Sequence, residues 1–104
     1  MAGEVDLVVV TLVFDAVDPD RLSAVLAKYV VVSRLHPGCR NIDLCASLTR
    51  PGRFLIVEKW DSPEAQRAHF DSADMVEMAQ ACEGLLARAP EIDLHQGLSA
   101  QDLE

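Results

Sequence analysis

The segment Val5–Phe14, VDLVVVTLVF, sets the terms for the rest of the chain. Its β-branched side chains suit a strand. In an extended chain, one face carries Val5, Leu7, Val9, Thr11 and Val13, and the other Asp6, Val8, Val10, Leu12 and Phe14. Both faces are apolar, so both have to be covered. One layer of helices covers only one face of a sheet. The simplest second cover is another copy of the chain, packed sheet against sheet about a two-fold axis. The pattern therefore predicts a homodimer.

The chain that follows supplies the helical layer. Asp18 is placed to cap a helix that begins at Pro19, whose missing N–H costs nothing there. Leu22, Val25, Leu26, Tyr29, Val32, Ser33 and His36 share one helical face. Pro37-Gly38 ends it. Cys39–Leu48 alternates, with Arg40, Ile42, Leu44, Ala46 and Leu48 on one face and Cys39, Asn41, Asp43, Cys45 and Ser47 on the other. Thr49–Gly52 is a turn with Pro-Gly at its centre, so a hairpin is expected. The next strand, Arg53–Trp60, puts Phe54, Ile56, Glu58 and Trp60 on one face and Leu55, Val57 and Lys59 on the other.

Ser62 and Pro63 open a second helix on which Ala65, Ala68 and His69 share a face, and Asp71-Ser72 breaks it. A further helical segment runs from Ala73 to Pro90 with Met75, Ala79, Cys82, Leu86 and Ala89 as its stripe. Ile92–Leu98 alternates as a last strand. The order β-α-β-β-α-β is the ferredoxin-like α+β pattern: an antiparallel sheet with helices on one face. One domain is expected over the 104 residues, with a core from about 5 to 98 and a polar tail at 99–104.

The formal net charge of -8 excludes a nucleic-acid backbone or an anionic membrane surface as partner. No apolar run approaches the roughly twenty residues of a membrane span. The opening MAGEVD lacks the basic and apolar regions of a signal peptide, and a cytoplasmic location is expected. Cys39, Cys45 and Cys82 fit no metal or redox spacing and read as free thiols. No nucleotide-binding, metal-binding or nucleophile-elbow motif is present, and neither a cofactor nor a metal is expected.

The chemistry concentrates in Phe54–Phe70, FLIVEKWDSPEAQRAHF. Glu58 shares its strand face with Phe54 and Ile56. A carboxylate on an apolar face has to be paired, hydrogen-bonded or protonated. His69 is the nearest partner in this topology, with Arg34 and Tyr29 as others. Such a pair either fixes the helix on the sheet or orients a working imidazole. Trp60 ends the strand, and its buried N–H needs an acceptor. Tyr29 and His36 lie on the inward stripe of the first helix, and Met75 offers a deformable wall. Candidate catalytic residues are therefore His69, Glu58 and Trp60. Tyr29, His36, Phe54, Ile56 and Met75 are expected to line the pocket.

His36–Cys39 (HPGC) ahead of the hairpin, together with Phe54–Phe70, resembles the antibiotic biosynthesis monooxygenase family. The resemblance spans roughly Val5 to Leu98. It implies a dimer whose two sheets form an α+β barrel, with a pocket in each subunit between sheet and helices. It matches Glu58, Trp60 and His69 to the family's strand Glu, strand-end Trp and helix His. It also implies a cofactor-independent oxidation of a small phenolic or hydroquinone-type aromatic by O2, with His69 as base or anion-holding donor. A non-catalytic ligand-binding or assembly dimer is the alternative on the same fold. In the family's oxygenase and haem-degrading branches, an Asn on the first strand helps position substrate. The first strand here holds none, which sets the chain apart from the haem-degrading branch and from the best-understood oxygenase branch.

Overall fold

The computed structural model describes residues 7–99, and the expected first two strand residues, Val5 and Asp6, lie outside them. The elements are β1 (Val8–Asp15), α1 (Pro19–Ser33), β2 (Cys39–Ala46), β3 (Arg53–Trp60), α2 (Pro63–Phe70), α3 (Ala73–Ala81) and β4 (Glu91–Gln96). The sheet order is β2-β3-β1-β4, antiparallel throughout. This is the expected α+β ferredoxin-like fold.

The strands divide by parity as the sequence implied. Val10, Leu12 and Phe14 of β1 and Phe54, Ile56, Glu58 and Trp60 of β3 are buried beneath the helices. Leu22, Leu26 and Tyr29 of α1 and Met78 of α3 close the core from the other side. On the opposite face, Val9, Thr11 and Val13 pair with Lys59, Val57 and Leu55. These residues remain partly exposed in the single chain.

Local chemistry explains the boundaries. Asp18, Ser62 and Ser72 each cap a helix by accepting from the N–H three residues on. Gly52 takes φ +83, and Arg53 N–H donates to the Arg50 carbonyl at 3.1 Å, closing the expected Pro51-Gly52 turn.

Three expectations need correction. A bulge between Cys39 and Asn41 shifts the register, so Cys39 sits opposite Trp60 and packs against the core rather than on the polar face. Leu48, expected inward, falls beyond the end of β2 and is exposed. The third helix stops at Ala81, not at Pro90, because the chain turns through Gly84 at φ +79. Its inward stripe is Met75, Met78 and Cys82, and Ala79 is exposed. With the helix cut short, Ile92 and Leu94 of β4 stay exposed, and Leu98 lies past the strand.

Candidate active site

Glu58 is delivered to the buried face of β3 by strand parity, and its carboxylate is 2% exposed. Two groups satisfy it, and a third lies close by. Trp60 Nε1 donates to Oε1 at 3.0 Å, because residues two apart on a strand lie on one face. The Tyr29 hydroxyl donates to Oε2. His69 Nε2 is 3.9 Å from Oε2, beyond a direct hydrogen bond. Tyr29 Oη stands between them, 2.7 Å from His69 Nε2. Arg34, the other candidate partner, donates to the Ile42 carbonyl instead.

The line continues outward. His69 Nδ1 meets His36 Nδ1 at 3.0 Å, and His36 Nε2 meets Asp74 Oδ2 at 2.7 Å. The indole of Trp60 stacks on the His69 ring with centroids 4.5 Å apart. Four elements and one turn therefore supply six side chains in contact: β3 (Trp60, Glu58), α1 (Tyr29), α2 (His69), the turn after α1 (His36) and α3 (Asp74).

Burial governs the ionisation of the inner groups. It raises the Glu58 carboxyl, against the pull of the Tyr29 and Trp60 hydrogen bonds. It raises the Tyr29 phenol, reinforced by the neighbouring Glu58 charge. It pushes His69 down to about 4, with the His36 charge acting in the same direction. His69 is therefore a neutral imidazole at neutral pH, able to donate through one nitrogen and accept through the other.

Two clefts of about 330 and 340 Å3 flank this line. The first lies between α1 and α3, is mainly apolar, and includes Val25, Val32, Met78, Tyr29 and Asp74 in its wall. The second lies between α2 and the α1–β2 turn and includes His36, His69, Asp61 and Ser62. Phe54, Ile56, Glu58 and Trp60 line neither; they belong to the core beneath. Trp60, expected to meet a ligand, has its N–H taken by Glu58 and a ring face covered by His69. Met75 packs against the core and borders a smaller apolar cavity of about 160 Å3. Sequence reasoning brought Glu58, Trp60, His69, Tyr29 and His36 to one place but missed Asp74. That residue sits in the first turn of α3, where an acid reads as a favourable partner of the helix dipole. Gln66, buried on α2, was also missed.

A family model described as antibiotic biosynthesis monooxygenase matches residues 7–81. The chain belongs to the antibiotic biosynthesis monooxygenase family. Solved structures agree on the fold. Rv0793 from Mycobacterium tuberculosis is similar at 25% identity and TM-score 0.82, covering 92% of this chain and 99% of that one. SO0527 from Shewanella oneidensis aligns at 21% identity and TM-score 0.83, covering 90% and 93%. SnoaB from Streptomyces nogalater, described as a cofactor-independent oxygenase, aligns at 19% identity and TM-score 0.77, covering 90% and 98%. No curated protein sequence matches the chain. In this member of the family, Glu58, Trp60 and His69 form the inner part of the hydrogen-bonded line. No group of three or more His, Cys, Asp or Glu side chains suited to a metal ion occurs among the described residues. No helix among them is long and apolar enough to cross a membrane.

Proposed function

We propose that the chain is a cofactor-independent monooxygenase that oxidises a small phenolic or hydroquinone-type aromatic to a quinone, using O2. Family membership supports this reading. The observation that carries it is the unbroken line of acid–base side chains from Asp74, on the wall of an apolar cleft, to Glu58 in the core. The cleft's volume falls at the lower end of the roughly 300–1,000 Å3 usual for small-molecule sites.

The chemistry asks little of the protein. A deprotonated phenol is electron-rich enough to reduce O2 itself. A ring carbon bonds to one oxygen, the O–O bond breaks, and the ring C–H leaves as a proton. Phenol and O2 become quinone and water, with no outside reductant. The protein binds the ring away from water, takes the hydroxyl proton and returns protons to the departing oxygen. His69 acts within this acid–base line, Tyr29 and Glu58 set its hydrogen bonding, and Trp60 holds its ring in place.

Oxygen uptake with a panel of phenols and hydroquinones tests the reading. Turnover that falls about 10²-fold or more in His69→Ala is expected. Absence of turnover across the panel, or equal turnover in both proteins, overturns it. A non-catalytic ligand-binding module is the second reading, favoured by one observation: Glu58, Tyr29, His69 and Trp60 satisfy one another's buried polar atoms. A phenol that binds without being consumed would select it.

The working form in this reading is a cytoplasmic homodimer. Val9, Val13, Leu55 and Val57 form an apolar strip on the helix-free face of the sheet, which a second copy would cover. The free state of Cys39, Cys45 and Cys82 suits a reducing compartment. Sedimentation of the wild type should give a species of twice 11.4 kDa. Val57→Asp should give a monomer.

A further inference from the structure

Four contacts join five groups in series: Asp74 to His36, His36 to His69, His69 to Tyr29, and Tyr29 to Glu58. Each contact needs one hydrogen between its two heavy atoms. The tyrosine oxygen keeps one hydrogen, and each imidazole keeps at least one. That accounts for three of the four hydrogens. The fourth has four possible resting places: Asp74, His36, His69 or Glu58. Moving it from one to the next requires only that the intervening hydrogens shift across their own bonds.

The two ends differ in access. The side chains of Asp74 and His36 are 34% and 18% exposed, whereas those of Glu58 and His69 are 2% exposed. Asp74 also borders the apolar cleft, with Lys28 and Glu77 paired at 3.6 Å on the same wall as the other charged groups there. Asp61 borders His36 and His69 from the opposite cleft, and Cys39 on β2 is near Glu58 and Tyr29.

We propose that Asp74 is the catalytic base facing the cleft, and that a relay through His36, His69 and Tyr29 parks a proton on Glu58 while the substrate is ionised. This rests on the monooxygenase reading for the identity of the substrate as a phenol. In the resting state Asp74 is a carboxylate, His36 carries the mobile proton as a cation, and Glu58 is a carboxylate. The substrate O–H bond breaks and its proton joins the free oxygen of Asp74. His36, its counter-charge gone, releases its Nδ1 proton to His69 Nδ1. His69 passes its Nε2 proton to the Tyr29 oxygen, and Tyr29 passes its own to Glu58 Oε2. Asp74, His36 and Glu58 end neutral and the substrate ends as a phenolate.

The net charge of -1 on the line has moved into the cleft as the substrate anion, so no charge is added to the core. Reversal returns the parked proton toward the oxygen that leaves as water. Burial favours both halves of the shift. It raises Glu58, which then accepts the proton readily, and it lowers His69, which then passes the proton on instead of holding it.

The relay predicts a tautomer change at His69, from Nε2–H to Nδ1–H, on formation of a bound phenolate. Nitrogen NMR of histidine-labelled protein reads the tautomer, and 4-nitrophenol is a probe whose phenolate is visible by absorbance. At a pH where the free probe is mostly un-ionised, adding protein should produce phenolate and switch His69. Asp74→Asn should lower the bound phenolate fraction at least tenfold. Tyr29→Phe should leave the probe bound but abolish the switch. His36→Gln, in an exposed turn, repeats the Asp74 test should Asp74→Asn fail to fold, and should likewise lower the phenolate fraction. Phenolate formation with an unchanged His69 tautomer, an unaltered phenolate fraction in both Asp74→Asn and His36→Gln, or no binding of the probe would each overturn the relay. Oxygen uptake separates the two readings. A tautomer switch without turnover on the phenol panel removes the monooxygenase and keeps the relay. Turnover without the switch does the reverse.

Discussion

The two clefts beside the acid–base line are similar in size and differ in the polar groups they bring to it. The α1/α3 cleft is walled mainly by aliphatic and thioether side chains, with the Lys28–Glu77 pair on the same wall and Tyr29 and Asp74 as its contacts to the line. The cleft beside α2 meets the same line at His36 and His69, among Asp61, Ser62 and the backbone of Gly38. On the proposed reading, a phenol ring meets the larger apolar wall in the first. The second brings Asp61 and Ser62 beside the two histidines. The lesson is that volume alone does not choose a binding site; the side chains around it do, and here they assign different jobs to the two openings.

The comparison can be broken at several points. The largest effect is expected from pH, on the histidine side. His69 is lowered to about 4 from 6.5. As pH falls, the unfolded chain takes up this proton before the folded one does. The contribution is therefore full above pH 6.5 and declines between 6.5 and 4, by up to about 3 kcal/mol. Glu58, raised by burial, acts in the opposite sense: its contribution is present below 4.5 and is lost as pH rises. Urea midpoints across this range should show the decline in the wild type, and His69→Gln should remove it.

Next comes Gly38, in the wall of the α2 cleft. It holds φ +81, and an added Cβ would lie 2.4 Å from the Cβ of Ala65. Gly38→Ala should cost about 3 kcal/mol from backbone strain and overlap together, and thermal unfolding would measure it. A smaller effect, about tenfold in KM or roughly 1.4 kcal/mol, is expected of Ala81→Trp, which fills the α1/α3 cleft from an exposed position. Ala68→Trp, filling the opposite cleft, should leave KM within about twofold. Steady-state kinetics that reverse this order would exchange the roles of the two clefts. Smallest is Lys28→Met. It removes an exposed pair with Glu77 at the rim and should change stability by less than about 1 kcal/mol.

The strands and the first helix were legible because their signals are local. Parity placed Glu58 and Trp60 on one face, and the stripe of α1 placed Tyr29 beneath them. The sequence offers Tyr29 as one of three partners for Glu58, but its position between Glu58 and His69 depends on how deeply α1 packs, which periodicity does not encode. Cys39 was assigned to the wrong face because one extra residue in a bulge leaves no mark in an alternating pattern. The third helix is shorter than its apolar stripe implies because the turn at Gly84 comes before the stop at Pro90.

The break at Asp71-Ser72 has a consequence for Asp74. A helix turns about 100° per residue. Had α2 run on without interruption, Asp74, five positions after His69, would have pointed about 140° away from it around the same axis. The Asp71 N–H instead bonds back to Arg67 and the Ser72 N–H to His69, and the Ser72 hydroxyl starts a new axis. The interruption resets the angular count, and two residues that a continuous cylinder would hold on different sides come to grip the same imidazole, that of His36.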